Sequence, residues 1–125
     1  MPSTRAQKLS SVRAGNTAAD RRVVGSASAT TSAPSLRTHG YAVQHRGQAV
    51  LTVQVSGTDA EFGVVLWAYS AVSESWGVLY EAGYAVGVFH VPVDLAGLDR
   101  VYAQVSSVSG TSAALSVWVA EVVPA

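Results

Sequence analysis

The sequence contains no cysteine, which excludes disulfide bonds, thiolate chemistry and cysteine-ligated zinc. Charged residues make up 13% of its 125 residues, about half the roughly 25% of ordinary soluble domains. The longest uncharged stretch, residues 101–120, has a serine-rich centre, so we do not expect it to cross a membrane. No apolar run of roughly 7 to 15 residues follows the amino terminus. We therefore expect synthesis in a cytoplasm without a secretory signal.

Groups that perform catalysis are also few, and their spacing does not favour a shared site. His39 and His45 lie six residues apart, about 20 Å along a strand at roughly 3.3 Å per residue, which is too far to share a metal ion. The acidic residues do not fall in a predicted cleft, and neither a Gly-x-Ser-x-Gly motif nor a phosphate-binding loop with its lysine is present. We predict that the protein is not an enzyme and has no catalytic residue, cofactor or metal site.

Charge divides the chain in two near Pro34. Residues 1–35 carry five cations against Asp20 alone, and those cations are Arg5, Lys8, Arg13, Arg21 and Arg22. Residues 36–125 carry three cations against seven carboxylates. The first part is rich in serine, alanine and threonine and has few large aliphatic residues, which is typical of a tail. We predict an extended basic arm over residues 1–35 and a folded acidic domain over residues 36–125.

Residues 36–125 alternate between apolar and polar side chains with a period of two, which predicts β-strands. Two hairpins are expected, the first from residues 36–45 and 49–55, and the second from residues 100–108 and 113–122. The predicted inner face carries Leu51, Val53, Val55, Val101, Ala103, Val105, Leu115, Val117 and Val119. Seven short strands at this spacing indicate an all-β fold, either an antiparallel β-sandwich or a jelly-roll-like barrel.

Two aromatic residues are left outside the predicted inner face. Tyr102 and Trp118 point outward on the two strands of the second hairpin, and exposed large aromatic side chains are typical of contact surfaces. We predict that both bind a partner, together with the five cations of the arm. A protein surface suits the arm better than nucleic acid, because the cations are dispersed and the body is acidic. A plain linker is the remaining interpretation of the arm.

The segment Asp99 to Val119, DRVYAQVSSVSGTSAALSVWV, resembles a hairpin of small structural proteins of tailed bacteriophages. The shared features are an Arg-x-aromatic-x-x-Val run, a Val-Ser-Gly-Thr-Ser turn and alternating aliphatic residues. The resemblance implies a non-enzymatic virion protein that binds capsid or other virion proteins and forms a homo-oligomer, a trimer or higher ring. Decoration or cementing of the head through the arm is the first expectation. A head-to-tail connector or a tail protein is the alternative.

A carbohydrate- or receptor-binding β-sandwich is the interpretation from a different functional class. Flat aromatic side chains can stack on sugar rings, and the candidates are Trp67, Tyr69, Trp76, Tyr80 and Tyr84. Such a module would bind glycans as an isolated domain and would not need the arm.

Overall fold

The computed structural model describes residues 22–122, and this part of the chain forms one open antiparallel sheet. The strands are β1 (Arg22–Ala27), β2 (Tyr41–Ala42), β3 (Gln48–Ser70), β4 (Ser75–Ala85), β5 (Gly87–Asp94) and β6 (Arg100–Glu121). No helix occurs within the described range, so none there could span a membrane. The predicted all-β, antiparallel class is confirmed.

Strands β3 and β6 form the centre of the sheet and pair along nearly their whole lengths, from Ala49 opposite Glu121 to Tyr69 opposite Arg100. The other side of β3 pairs first with β5 and then with β4. The other side of β6 pairs with β1 near its end and with β2 at its start. The sheet thus has two halves: the first contains β5, β1 and residues 48–55 of β3, and the second contains β4, β2 and residues 61–70 of β3.

A row of irregular positions separates the two halves. The register between β3 and β6 shifts between Ser56 and Thr58 and again between Thr58 and Glu61, as β-bulges produce. Gly57 and Gly110 have φ angles of 126° and 101° there. A Cβ on Gly110 would lie 2.5 Å from the Cα of Ala60, so only glycine fits where β6 approaches β3 at this position. Bulges bend strands, and these lie where both central strands change partners.

The hydrophobic core draws on both halves of the sheet. Leu51 and Val53 in the first half and Phe62 and Leu66 in the second are completely buried and belong to one cluster. All nine residues of the predicted inner face are buried in that cluster, so this prediction is confirmed. Period-two alternation identified them because successive side chains of a strand point to opposite faces.

Both predicted hairpins are wrong. Residues 100–121 form one continuous strand, because β3 supplies a pairing partner across the expected turn, with Ser109 opposite Glu61 and Thr111 opposite Thr58. The glycine and serines of that segment therefore lie within a strand, where its register with β3 shifts. Residues 36–45 contribute only the two-residue β2, which pairs with β6 and not with β3. The described part has six strands, two of them very long, where seven short ones were predicted.

The edge strand β1 lies within the segment predicted to be the arm. It pairs with the end of β6, and Val23 is 6% exposed and part of the core. The remainder of the predicted arm, residues 1–21, lies outside the described residues.

Candidate interaction surfaces

One edge of the sheet is uncovered and apolar. Within residues 22–122, β4 and β5 pair with β3 alone, so their outer sides have no neighbouring strand. Four apolar residues on or between these strands are exposed, namely Val78 (53%), Leu79 (38%), Val86 (51%) and Val88 (55%). We call these four residues, with the exposed Glu81, the β4–β5 edge. Edge strands of this kind present backbone donors and acceptors that an added strand can pair with.

Carboxylates lie beside the β4–β5 edge. Asp59 and Glu61, both exposed, line a shallow open depression with Ala60, Ala85 and Val86. Glu61 on β3 is directly opposite Ala85 on β4. Between Arg46 and Arg100 the sequence has six carboxylates and no lysine or arginine, and this stretch contains β3, β4 and β5. The uncovered edge is therefore attractive to a basic, partly apolar partner.

A second surface is aromatic and lies on the second half of the sheet. Its members, the aromatic face, are Trp67, Tyr69, Trp76 and Tyr102. The ring of Trp76 lies edge-on to Tyr69 and to Tyr102, with centroids 5.4 and 6.4 Å apart. The indole N–H of Trp67 donates to Gln104 Oε1 at 2.8 Å. All four residues are half-buried, so each offers part of a ring to solvent.

The segment before β2 packs against the aromatic face. The indole N–H of Trp76 donates to the carbonyl of Leu36 at 3.2 Å, and the imidazole of His39 lies 6.1 Å from the ring of Tyr102. Arg100 holds the same segment, because its guanidinium donates to three backbone carbonyls, those of Thr38, His39 and Gly40. The aromatic face therefore anchors this segment as well as contacting solvent.

The structure does not bring Tyr102 and Trp118 together. Both lie on β6, Tyr102 in the second half of the sheet and Trp118 in the first. Trp118 instead packs under Arg22, whose guanidinium carbon is 4.8 Å from the centre of the indole ring. Arg22 and Trp118 were both predicted partner-binding residues, and the structure places them side by side. The other predicted cations, Arg5, Lys8, Arg13 and Arg21, lie outside the described residues.

Two of the predicted stacking residues lie apart from the aromatic face. Tyr84 is 5% exposed and packs against Phe89 with ring centroids 5.1 Å apart. Burial raises the pKa of the Tyr84 hydroxyl, and its hydrogen bond to the Tyr80 hydroxyl raises it further. Tyr84 is thus a core residue with no free ring for a sugar, whereas Tyr69 and Trp76 keep partial exposure.

Glu121 is a buried charged residue that the sequence patterns did not single out. It is 1% exposed, and its carboxylate accepts hydrogen bonds from the Tyr41 hydroxyl and from the backbone N–H groups of Gln44, His45 and Arg46. Burial alone would raise the pKa of Glu121, but these four donors outweigh it and lower the pKa below its usual value. Glu121 thus fixes the loop before β3 to the end of β6. Its position at the end of an alternating strand gave no signal of this role.

His39 and His90 have separate hydrogen-bonding partners. His39 Nδ1 accepts hydrogen bonds from the backbone N–H groups of Ser35 and Leu36, and His90 Nδ1 is 3.0 Å from the hydroxyl of Thr52. Within residues 22–122, no group of three metal-ligating side chains is close enough to hold an ion.

The chain matches no protein-family model and no curated protein. The structure therefore defines the class by itself: an all-β protein with one open antiparallel sheet. Its candidate functional features are surfaces, namely the β4–β5 edge with its carboxylates and the aromatic face.

Proposed function

We propose that this protein is a non-enzymatic structural component of a virion that decorates or cements the head of a tailed bacteriophage. The observation that carries the proposal is the uncovered β4–β5 edge. Val78, Leu79, Val86 and Val88 leave apolar surface in water along a strand with free pairing positions. Pro92 protects part of β5, but β4 has neither lysine nor proline, which monomers commonly place on edge strands. A subunit of an assembly buries such an edge against a neighbour.

The distribution of charge supports the same role. Residues 1–21 contain Arg5, Lys8, Arg13 and Arg21 against Asp20, while the stretch that contains β3, β4 and β5 contains carboxylates alone. A basic segment on an acidic body can bind a neighbouring subunit of the same kind or an acidic shell protein. Repetition on a particle would multiply a weak contact into stable attachment.

We further propose that the bend at Gly57 and Gly110 folds the two halves of the sheet into a sandwich. The support is the common core, in which Leu51 of the first half and Phe62 of the second are both completely buried. The proposed role is that of a small body made in the host cytoplasm and carried in the virion without a cofactor. A connector or a tail protein of the same particle is the alternative position.

The test is binding to particles. Empty head shells and isolated tails, each purified from a tailed-phage lysate, would be mixed with the full chain and sedimented. We expect saturable binding to shells that weakens when Arg5, Lys8 and Arg13 are all changed to glutamate, because the change removes contacts of the basic segment with the shell or with neighbouring copies on it. Binding to tails alone would favour the alternative position. No binding to either would contradict the virion role.

A glycan-binding module is the second candidate, and the aromatic face favours it. Trp76 and Tyr102 are half-buried neighbours on adjoining parts of one surface, as sugar-stacking residues often are. The full chain would be applied to a glycan array, with Trp76→Ala as the variant and Trp118→Ala, on the other half of the sheet, as the matched control. Binding that Trp76→Ala abolishes and Trp118→Ala preserves would support this function.

A further inference from the structure

The β4–β5 edge needs an occupant, and the chain itself contains a segment of suitable chemistry. The edge has exposed apolar side chains at Val78, Leu79, Val86 and Val88, and Glu81 lies among them. Behind the middle of the edge lie the carboxylates of Asp59 and Glu61, in the depression that Val86 also lines. A matching strand would therefore combine cations with a few aliphatic residues.

Residues 1–21 have this composition. Four cations, Arg5, Lys8, Arg13 and Arg21, stand against Asp20, and Leu9 and Val12 are the large aliphatic residues between them. Fully extended, 21 residues reach up to about 70 Å. That reach exceeds the combined length of β4 and β5, which is about 66 Å for the 20 residues from Ser75 to Asp94 at roughly 3.3 Å per residue.

The position of Arg22 favours a second copy over the same chain as the molecule that receives the segment. Arg22 begins β1, which forms one edge of the sheet, and β5 forms the opposite edge of the same half, beyond β6 and β3. Three strand spacings of about 4.8 Å separate the two edges by about 14 Å. A segment that starts at the β1 edge reaches its own β4–β5 edge only by crossing a face of its own sheet. The segment reaches the β4–β5 edge of a copy that lies beside β1 without crossing its own sheet.

We propose that the β4–β5 edge binds the basic N-terminal segment, residues 1–21, of a second copy of this chain. The contact joins two different surfaces, so it is head-to-tail, and repetition closes into a ring or extends into a filament. The inference deepens the proposed function and rests on it for its biological setting, since it names the partner of the segment between neighbouring subunits.

The experiment is a charge swap between two full-length variants. In the segment variant, Arg5, Lys8 and Arg13 are changed to glutamate; in the edge variant, Glu61 and Glu81, both exposed, are changed to lysine. Glu74→Lys, in the turn before β4, makes half of that charge change far from the depression and serves as the control. Self-association is measured by sedimentation velocity at low and high salt, and folding by far-ultraviolet circular dichroism.

We expect the wild type and Glu74→Lys to associate at low salt and to dissociate as salt screens the contact. The segment and edge variants should each associate about tenfold or more weakly, because like charges then face each other. Mixed together they should regain association, since the acidic segment of one meets the basic edge of the other.

A wild type that is monomeric at its highest soluble concentration would overturn the proposal, as would two variants that associate as the wild type does. A mixture of the variants that stays monomeric would also overturn it, because the segment would then bind its own chain or nothing. Self-association is measured on the purified chain, without phage particles. Self-association without binding to shells would leave this inference standing and remove the virion role, and the reverse result would remove this inference alone.

Discussion

The hydroxyl of Tyr41 donates a hydrogen bond to the carboxylate of Glu121, 80 residues later in the chain. The same carboxylate accepts from the backbone N–H groups of Gln44 and His45, each at 2.7 Å. Four donors around one buried carboxylate replace the water that burial removes, so the charge is stabilised in the interior. This arrangement ties the loop before the first long strand to the end of the last one.

Replacing Glu121 by glutamine should destabilise the protein by about 1 to 3 kcal/mol at neutral pH, because the amide keeps the shape but leaves buried N–H groups poorly paired. Tyr41→Phe removes one donor and should cost less, about 0.5 to 1.5 kcal/mol. Urea unfolding followed by tryptophan fluorescence measures both. Equal stability of Glu121→Gln and wild type would show that the carboxylate does not hold the loop.

The same carboxylate predicts a dependence of stability on pH. Its pKa in the folded protein is below the ordinary value of about 4.3, so folding favours the ionised form. The contribution of this carboxylate to the free energy of unfolding is complete at pH values well above its ordinary pKa. That contribution is lost as the pH falls through the ordinary pKa toward the lower pKa of the folded protein. Unfolding measured between about pH 3 and pH 7 should therefore show the gap between wild type and Glu121→Gln narrowing in acid. A gap that stays constant across this range would contradict the assignment.

Gly110→Ala should destabilise the protein by about 2 to 4 kcal/mol, because a Cβ would collide with Ala60 and the positive φ is strained for alanine. Gly77→Ala is the matched control, since a Cβ there meets nothing within 4 Å. Thermal unfolding of the two variants separates the loss of the bend from a general effect of replacing glycine. Similar melting temperatures for the two variants would show that the close approach of β6 to β3 at Gly110 tolerates a side chain.

Removal of residues 1–21 should leave the sheet folded with nearly unchanged stability, whereas removal of residues 1–25 should destabilise it. The longer deletion removes Val23, which is 6% exposed, and a fully buried valine contributes about 1.5 to 3 kcal/mol. It also removes the strand residues that pair with the end of β6. Circular dichroism during heating compares the two truncated chains, and equal melting points would argue that β1 adds nothing to the fold.

Arg22→Ala should lower stability by about 0.5 to 1 kcal/mol, because the guanidinium loses its position over the indole ring of Trp118. Arg37→Ala removes an exposed cation outside the strands and should leave stability within about 0.5 kcal/mol of wild type. Denaturant titration compares these two variants with wild type.

Trp118→Ala should weaken self-association more than folding, as expected for a partner-binding residue. Denaturant titration measures the change in folding stability, and sedimentation velocity measures the change in self-association. Equal losses of free energy in the two would assign Trp118 to the core of the fold.

Sequence reasoning identified the core but not the strand connections. Alternation along Leu51, Val53 and Val55 is a local property, and the strand geometry translates it directly into burial. The Ser-Gly-Thr-Ser segment at residues 109–112 has turn chemistry in either a hairpin or a bulged strand. Pairing with β3 selects the bulged strand, and that partner is about 50 residues away in the sequence. Local signals do not contain that choice.

The candidate surfaces were predictable only in part. The charge division is visible in the sequence and leads to the acidic region beside the β4–β5 edge. The uncovered edge itself depends on strand order, so Val78, Leu79, Val86 and Val88 could not be recognised beforehand as exposed neighbours. Glu121 was missed for a similar reason, because its donors come from a loop that only the folded chain brings to it.

The stretch without lysine or arginine between Arg46 and Arg100 has a practical consequence for studying the molecule. Trypsin cleaves after lysine and arginine, so a complete digest releases β3, β4 and β5 together as one peptide of residues 47–100. Lys8 is the single lysine of the chain, and amine-reactive dyes or cross-linkers therefore mark the N-terminal region and leave the whole sheet unlabelled. Probes of the uncovered edge must instead be directed at carboxylates or at tyrosine and tryptophan.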